Sequence, residues 1–250
     1  MAQVRERTVL EVAGTVLAAQ LAWEYGLATN AAGGTHHAHS EMGAGYTILN
    51  DLAVTANYLI KNHGGKGQGP RRRPRGGGEE GVKEGEGASV QTVLVIDCDV
   101  HQGDGTAKFA NILGKGLVTL SLHCESNYPT LKANSTYDVG LPDGMEDDAY
   151  MEVLETSVLR AIEETRPDFV LYDAGVDVHE DDFLGRLGLT EGGIRRRDRW
   201  VMETCVERGI PIVGVIGGGY DKDPVALARR HAIVHEEAAY VWRKHKMWMR

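Results

Sequence analysis

The chain is poor in cysteine. It has three, Cys98, Cys124 and Cys205, with no Cys-x-x-Cys pair among them. This scarcity excludes a disulfide framework and a cysteine-built zinc knuckle, and it fits a reducing compartment in which all three are free thiols. Long apolar runs are missing too: nowhere does the sequence offer the roughly 18 consecutive apolar residues of a membrane-spanning helix. Residues 1–8 carry charge without a signal-type apolar core and cleavage site, which points to an intracellular protein. Nor is there an excess of positive charge. With 27 Lys and Arg against 36 Asp and Glu, a net charge of -9 argues against a protein that coats nucleic acid, whereas an acidic surface attracts cationic peptides.

What is present is a chain of 250 residues, 42% hydrophobic, long enough for one sizeable core and read as a single domain over 1–250. Residues 64–88 interrupt it. This stretch is rich in Gly, Arg and Glu, has Val82 as its only large aliphatic residue, and reads as a disordered surface insertion, basic over Arg71–Arg75 and acidic from Glu79 to Glu86. The basic cluster reads as a solvated loop in preference to a nuclear localisation signal or a phosphate-binding patch; the protein is expected to be cytoplasmic, or nuclear if the cluster acts as such a signal.

Elsewhere helical and strand patterns alternate. The apolar positions Tyr150, Val153, Leu154, Val158, Ala161 and Ile162 follow helical spacing, and Pro167 closes that helix. A second helix runs from Glu191 to Glu207 and ends at Gly209. Thr92 to Ile96, Leu117 to Leu122, Asp168 to Tyr172 and Pro211 to Ile216 are short and continuously apolar, with a further short strand at Leu27 to Asn30. Such strands between helices predict an α/β fold, a parallel sheet covered on both faces.

In such a sheet ligands bind beyond the carboxyl ends of the strands. Four such ends are rich in polar groups: Gly33-Gly34-Thr35-His36-His37, Asp97 to Gly105, Gly175-Val176-Asp177, and Gly217-Gly218-Gly219-Tyr220. In an extended chain Asp97, Asp99 and His101 project to one side and converge. Paired histidines also occur on ordinary surfaces, an aspartate after a strand is commonly a turn or helix cap, and three glycines make a simple turn. The coincidence of all four at one sheet edge outweighs these readings. Asp99, His101 and Asp177 would make a three-ligand site with open positions, the arrangement of catalytic rather than structural zinc, and Asp97 and Asp104 would orient imidazoles through hydrogen bonds.

These blocks, with Gly43-Ala44-Gly45-Tyr46, Asn50-Asp51, Ser121-Leu122-His123 and Leu184-Gly185-Arg186-Leu187, resemble the histone deacetylase family of the arginase-deacetylase superfamily. Gln102 resembles its class IV and bacterial-type branch. The resemblance implies a three-layer arginase-deacetylase-like fold and a zinc-dependent deacetylase of acetyl-lysine in histones or other proteins. By it Asp99, His101 and Asp177 bind zinc, and His37 is general base and then acid. His36 assists electrostatically, Asp97 supports His36, Asp104 supports His37, and Tyr220 donates its hydroxyl to the substrate carbonyl. Gly45, Tyr46, Tyr128 and Gly219 line the substrate channel, where relatives usually carry phenylalanine at the two aromatic positions. A potassium ion is implied at Asp97, Asp99, His101, Ser121 and Leu122. The implied partner is an acetylated protein or a small acylated amine such as an acetylated polyamine, with no nucleic acid and no membrane; a non-catalytic scaffold is the reading from another class. A two-manganese arginase-type centre fits less well, because its aspartate set is incomplete. By the same resemblance the chain begins at an internal helix of the family and lacks early strands.

Overall fold

Apolar runs flanked by glycine and proline become the strands of one sheet: β1 (Leu27–Asn30), β2 (Val93–Asp97), β3 (Leu117–Cys124), β4 (Tyr137–Leu141), β5 (Phe169–Asp173) and β6 (Ile212–Val215). The computed structural model describes residues 2–64 and 89–249, so the expected insertion lies, from residue 65 onward, outside the described residues. All pairings are parallel, in the order β1-β6-β5-β2-β3-β4. From β2 the chain steps outward to β3 and β4, then returns to β5 and steps the other way to β6. Connections leave in opposite directions on the two sides of the β2/β5 pair, which is the switch point where such sheets open a crevice.

Alternation along the strands divides the core in two. Val93, Val95, Phe169, Leu171, Val213 and Val215 face one side, where they pack against Ala18, Ala22 and Trp23 of α1 (Ala2–Tyr25) and Leu52, Ala56 and Leu59 of α2 (Asp51–His63). Phe109 and Leu113 of α3 (Asp104–Leu113) lie against the same cluster. On the other side Leu94, Ile96, Val170, Tyr172 and Ile212 meet α4 (Asp147–Thr165), α5 (Glu191–Glu207) and α6 (Pro224–Lys244), through residues such as Leu154, Val201 and Val234. The result is the predicted three-layer arrangement.

Helix ends follow ordinary capping chemistry. Asn50 caps α2 by accepting from Ala53 N at 2.9 Å, and Thr190 caps α5 by accepting from Gly193 N at 3.1 Å. After α4, Arg166 turns left-handed and Pro167 blocks continuation. Where the chain leaves α2, Val90 N donates to His63 O at 2.8 Å and the Gln91 amide donates to Gly64 O at 2.9 Å, so the two sides of the 65–88 interval are tied together. Among the described residues no helix is long and apolar enough to cross a membrane.

Candidate active site

Four adjacent strands, β1, β6, β5 and β2, deliver their following loops to one edge of the sheet. The loop after β1 turns through Gly33 and Gly34, both at positive φ, before presenting His36 and His37. A Cβ on Gly34 would lie 2.5 Å from the Cα of Gly217, so the loops after β1 and β6 touch backbone to backbone and only glycine fits. Asp51, at the start of α2, accepts from Gly34 N (3.1 Å), Thr35 N (2.8 Å), Thr35 Oγ1 (2.6 Å) and Thr15 Oγ1 of α1 (2.7 Å). One buried carboxylate thus fixes the histidine loop against two helices.

Each histidine has its own aspartate. His36 Nδ1 donates to Asp97 Oδ2 at 2.8 Å, and His37 Nδ1 donates to Asp104 Oδ1 at 2.7 Å, which leaves each Nε2 as the free nitrogen. The rings lie 4.1 Å apart between centroids. His36 is further ringed by Asp99 Oδ1 and Asp173 Oδ2, each at 3.7 Å. Burial alone would depress both histidines. For His36 the charges of Asp97 and Asp99 overcome it and hold the imidazole well above its usual range; for His37 burial and the neighbouring His36 charge win, and it falls below.

Beyond Asp97 the chain is no longer extended, and this corrects one expectation. Asp97 Oδ1 accepts from Asp99 N at 3.1 Å, so the backbone turns at once. Asp97 faces His36, while Asp99 and His101 face Asp177. These last three converge: His101 Nδ1 is 3.0 Å from Asp99 Oδ1 and 3.0 Å from Asp177 Oδ2. Backbone donors fix the carboxylates from behind, Val100 N on Asp177 Oδ1 (2.8 Å) and Gly218 N on Asp99 Oδ2 (2.7 Å). Burial and the Asp99 charge push Asp177 up to about 7. His101, against its burial, is raised to about 10 by its hydrogen bonds to the two carboxylates. Three buried O and N donors whose ligating atoms lie within 4.8 Å of one another form a set that a zinc ion fits. Ser121 and Leu122 lie buried in β3, and Ser121 is the register partner of Asp97.

A cavity of about 790 Å³ opens over this edge, lined by His36, His37, Gly45, Tyr46, Asp99 and Tyr220 among others. Gly45, at positive φ, packs on His37: a Cβ there would come within 2.1 Å of His37 Cδ2. Tyr46 is 87% exposed at the mouth, its ring 6.1 Å from that of Tyr220. Burial, then the charges of Asp99 and Asp177, push the Tyr220 phenol up, so it stays a protonated donor. Tyr128 meets His37 edge-on with centroids 4.9 Å apart and lies 6.3 Å from the His101 ring. Gly219 lies between the cavity-lining Gly218 and Tyr220, and a Cβ there would meet Val176 and His231.

Several supporting residues escaped the sequence reading. Asp182 accepts from Tyr220 N at 2.6 Å, fixing the backbone that carries the phenol. Gln102, read from the sequence only as a mark of the branch, holds the 133–138 segment through Ala133 and Asp138. Asp173, register partner of Asp97 and fully buried, has no hydrogen-bond partner for either side-chain oxygen among the described residues; burial and the Asp97 charge raise it well above the usual carboxylate range. Arg197 and Asp198 lie fully buried in α5. A signal for the last two was present. They fall on the apolar stripe Ile194, Val201, Met202, Cys205, where charge is out of place unless paired.

A sequence model of the histone deacetylase domain matches residues 1–67 and 82–235. An uncharacterized protein of Picosynechococcus sp. is 43% identical over 241 residues, covering 96% of this chain and 72% of that protein. Histone deacetylase 2 of Arabidopsis thaliana is 30% identical over 217 residues, covering 85% and 49%. The acetoin utilization protein AcuC of Staphylococcus aureus is 28% identical over 203 residues, covering 76% and 45%. The chain thus spans about half the length of the last two. With the matched model covering most of the sequence and both histidine–aspartate pairs inside it, the chain belongs to the histone deacetylase family.

Proposed function

We propose that this chain hydrolyses acetyl-lysine amides in proteins, with zinc held by Asp99, His101 and Asp177. The observation that carries the reading is the meeting, at one sheet edge, of a buried three-donor set, two oriented histidines and a protonated tyrosine. When bound, the ion would supply Lewis acidity toward the amide oxygen and lower the pKa of water. The residues divide the remaining work. Asp104 keeps the proton of His37 on Nδ1, so Nε2 accepts the proton of the attacking water and later returns it to the departing lysine nitrogen. His36, charged beside Asp97, stabilises the negative charge that develops. Tyr220 donates its hydroxyl to the oxygen on which that charge collects, and one such donor contributes about 3 to 4 kcal/mol. The C–N bond breaks, hydroxyl stays on the acyl carbon, and acetate and a free amine leave. A potassium ion at Asp97, Asp99, His101, Ser121 and Leu122 belongs to the same proposal.

The test is acetate release from an acetyl-lysine peptide by the full chain reconstituted with zinc. Release blocked by a hydroxamate is expected, and a folded, zinc-loaded protein that releases none would overturn the proposal. Faster turnover of acetylspermidine than of the peptide would move the substrate to small acylated amines.

A further inference from the structure

The ladder between β2 and β5 ends at the pair Asp97 and Asp173, yet the metal-site residues Asp99 and Asp177 lie two and four positions further on. Single main-chain bonds carry the extensions a little further, Cys98 N donating to Asp173 O at 3.0 Å and Val176 N to Gly218 O at 2.7 Å, but the carbonyls of Cys98, Ala174 and Gly175 turn to a side chain. Arg197, reaching in from α5, is fully buried and makes four hydrogen bonds: Nε to Asp198 Oδ1 (2.8 Å), Nη1 to Cys98 O (3.1 Å) and Gly175 O (2.7 Å), and Nη2 to Ala174 O (3.1 Å). Three of the four acceptors are backbone carbonyls, one directly before Asp99 and two between β5 and Asp177. Asp198 in turn receives the Tyr172 hydroxyl at 2.5 Å, which anchors the head group to β5 itself.

We infer that Arg197 is a positioning residue for the metal centre, a guanidinium clamp that takes over where the strand ladder stops and sets the spacing of the Asp99 and Asp177 loops. The chemistry requires arginine. Carbonyls on two strand extensions must be bridged by one rigid planar group, and a lysine ammonium, a single point donor, cannot span them in that fork geometry. The contact between loops is close: a Cβ on Gly175 would lie 2.5 Å from Asp99 Oδ2, so a small shift of the Gly175 carbonyl reaches the ligand directly. A neutral core would otherwise place an apolar side chain here, since a buried ion pair by itself is weak evidence of stabilisation.

The inference rests on Asp99, His101 and Asp177 binding metal, and the experiment separates the two. Zinc affinity of the full chain is measured by competition, the visible spectrum is recorded with cobalt(II) in place of zinc, and thermal unfolding is followed without metal, for wild type, Arg197→Lys, Arg197→Ala and Asp198→Asn. The expected result is a 10- to 100-fold loss of zinc affinity and an altered cobalt spectrum in the Arg197 variants, the range typical when a group supporting metal ligands is removed. Asp198→Asn, which keeps a carbonyl acceptor for Arg197, should lower the unfolding temperature while leaving affinity within a few-fold of wild type. Arg197→Lys keeps the charge and the stem, so it carries the test where Arg197→Ala does not fold. Folded Arg197 variants that melt earlier but bind zinc as wild type does would overturn the clamp and leave the metal centre standing. A wild-type chain that binds no zinc would overturn the metal centre, and the clamp with it.

Discussion

His36 and His37 are neighbours in sequence, each donates Nδ1 to a buried aspartate, and their rings nearly touch, yet their basicities move in opposite directions. His36 faces inward, toward Asp97, Asp99 and Asp173. His37 faces one aspartate that it shares with His39, whose Nε2 is 3.2 Å from Asp104 Oδ2, and it carries the repulsion of His36. The difference teaches that a held positive charge and a neutral, proton-accepting ring need not come from different residue types. It comes from how many carboxylates surround each ring, a division of labour that pairs of titratable groups in active sites recurrently show.

The largest expected effect tests the division directly. His37→Ala should lower kcat/KM for an acetyl-lysine peptide by about 10²- to 10⁴-fold, the range for loss of a general base, and His36→Ala should cost clearly less; equal losses in steady-state kinetics would break the comparison. Tyr220→Phe should lower kcat by about 10²- to 10³-fold and leave the acidic limb of the pH profile in place, because the phenol is a donor and not the base. Asp97→Asn exchanges a charged partner of a buried histidine for a neutral one and should cost about 1.5 to 3 kcal/mol in urea unfolding, more than Asp104→Asn, whose carboxylate is less deeply enclosed.

The smallest effect is the sharpest. In the proposed reaction neutral His37 is the base, and its lowered pKa puts the acidic limb of kcat/KM below the ordinary 6.5. Asp104 pulls that pKa upward against burial. Its replacement by Asn should therefore move the limb to still lower pH, while Asp97→Asn should not; a limb that moves upward in Asp104→Asn would show that His37 is not the titrating base.

Much of this was legible in the sequence. The central strands were apolar on both faces, and such runs announce themselves. β4 did not: its residues Tyr137 to Leu141 alternate between half-buried and exposed at the sheet edge and include Asp138 and Gly140, so no continuous apolar signal exists. The helix α5 was readable to its last residue because Gly209 punctuates its end. The site residues were legible as types placed after strands; spacing alone did not pair the aspartates with their histidines, and that pairing came from the family resemblance. Asp97 and Asp99 are two apart and serve different histidines, because a single backbone hydrogen bond turns the chain between them. That turn depends on which strands lie alongside, and spacing alone does not encode it. Asp173 was passed over between the strand read as Asp168 to Tyr172 and the Gly175-Val176-Asp177 block, because the structure extends β5 by that one residue.

One feature of the fold bears on how the molecule can be handled. His63 and Val90 are joined by a main-chain hydrogen bond, with Gln91 reaching back to Gly64, on the side of the sheet where strands begin and away from the edge where the histidines gather. The chain closes on itself there independently of what connects residues 64 and 89. Doubling the length of a flexible connection between fixed ends costs only about 0.6 kcal/mol. That junction is a port: a fluorescent reporter, an affinity handle or a second domain can be spliced into it with the catalytic geometry left to the opposite edge.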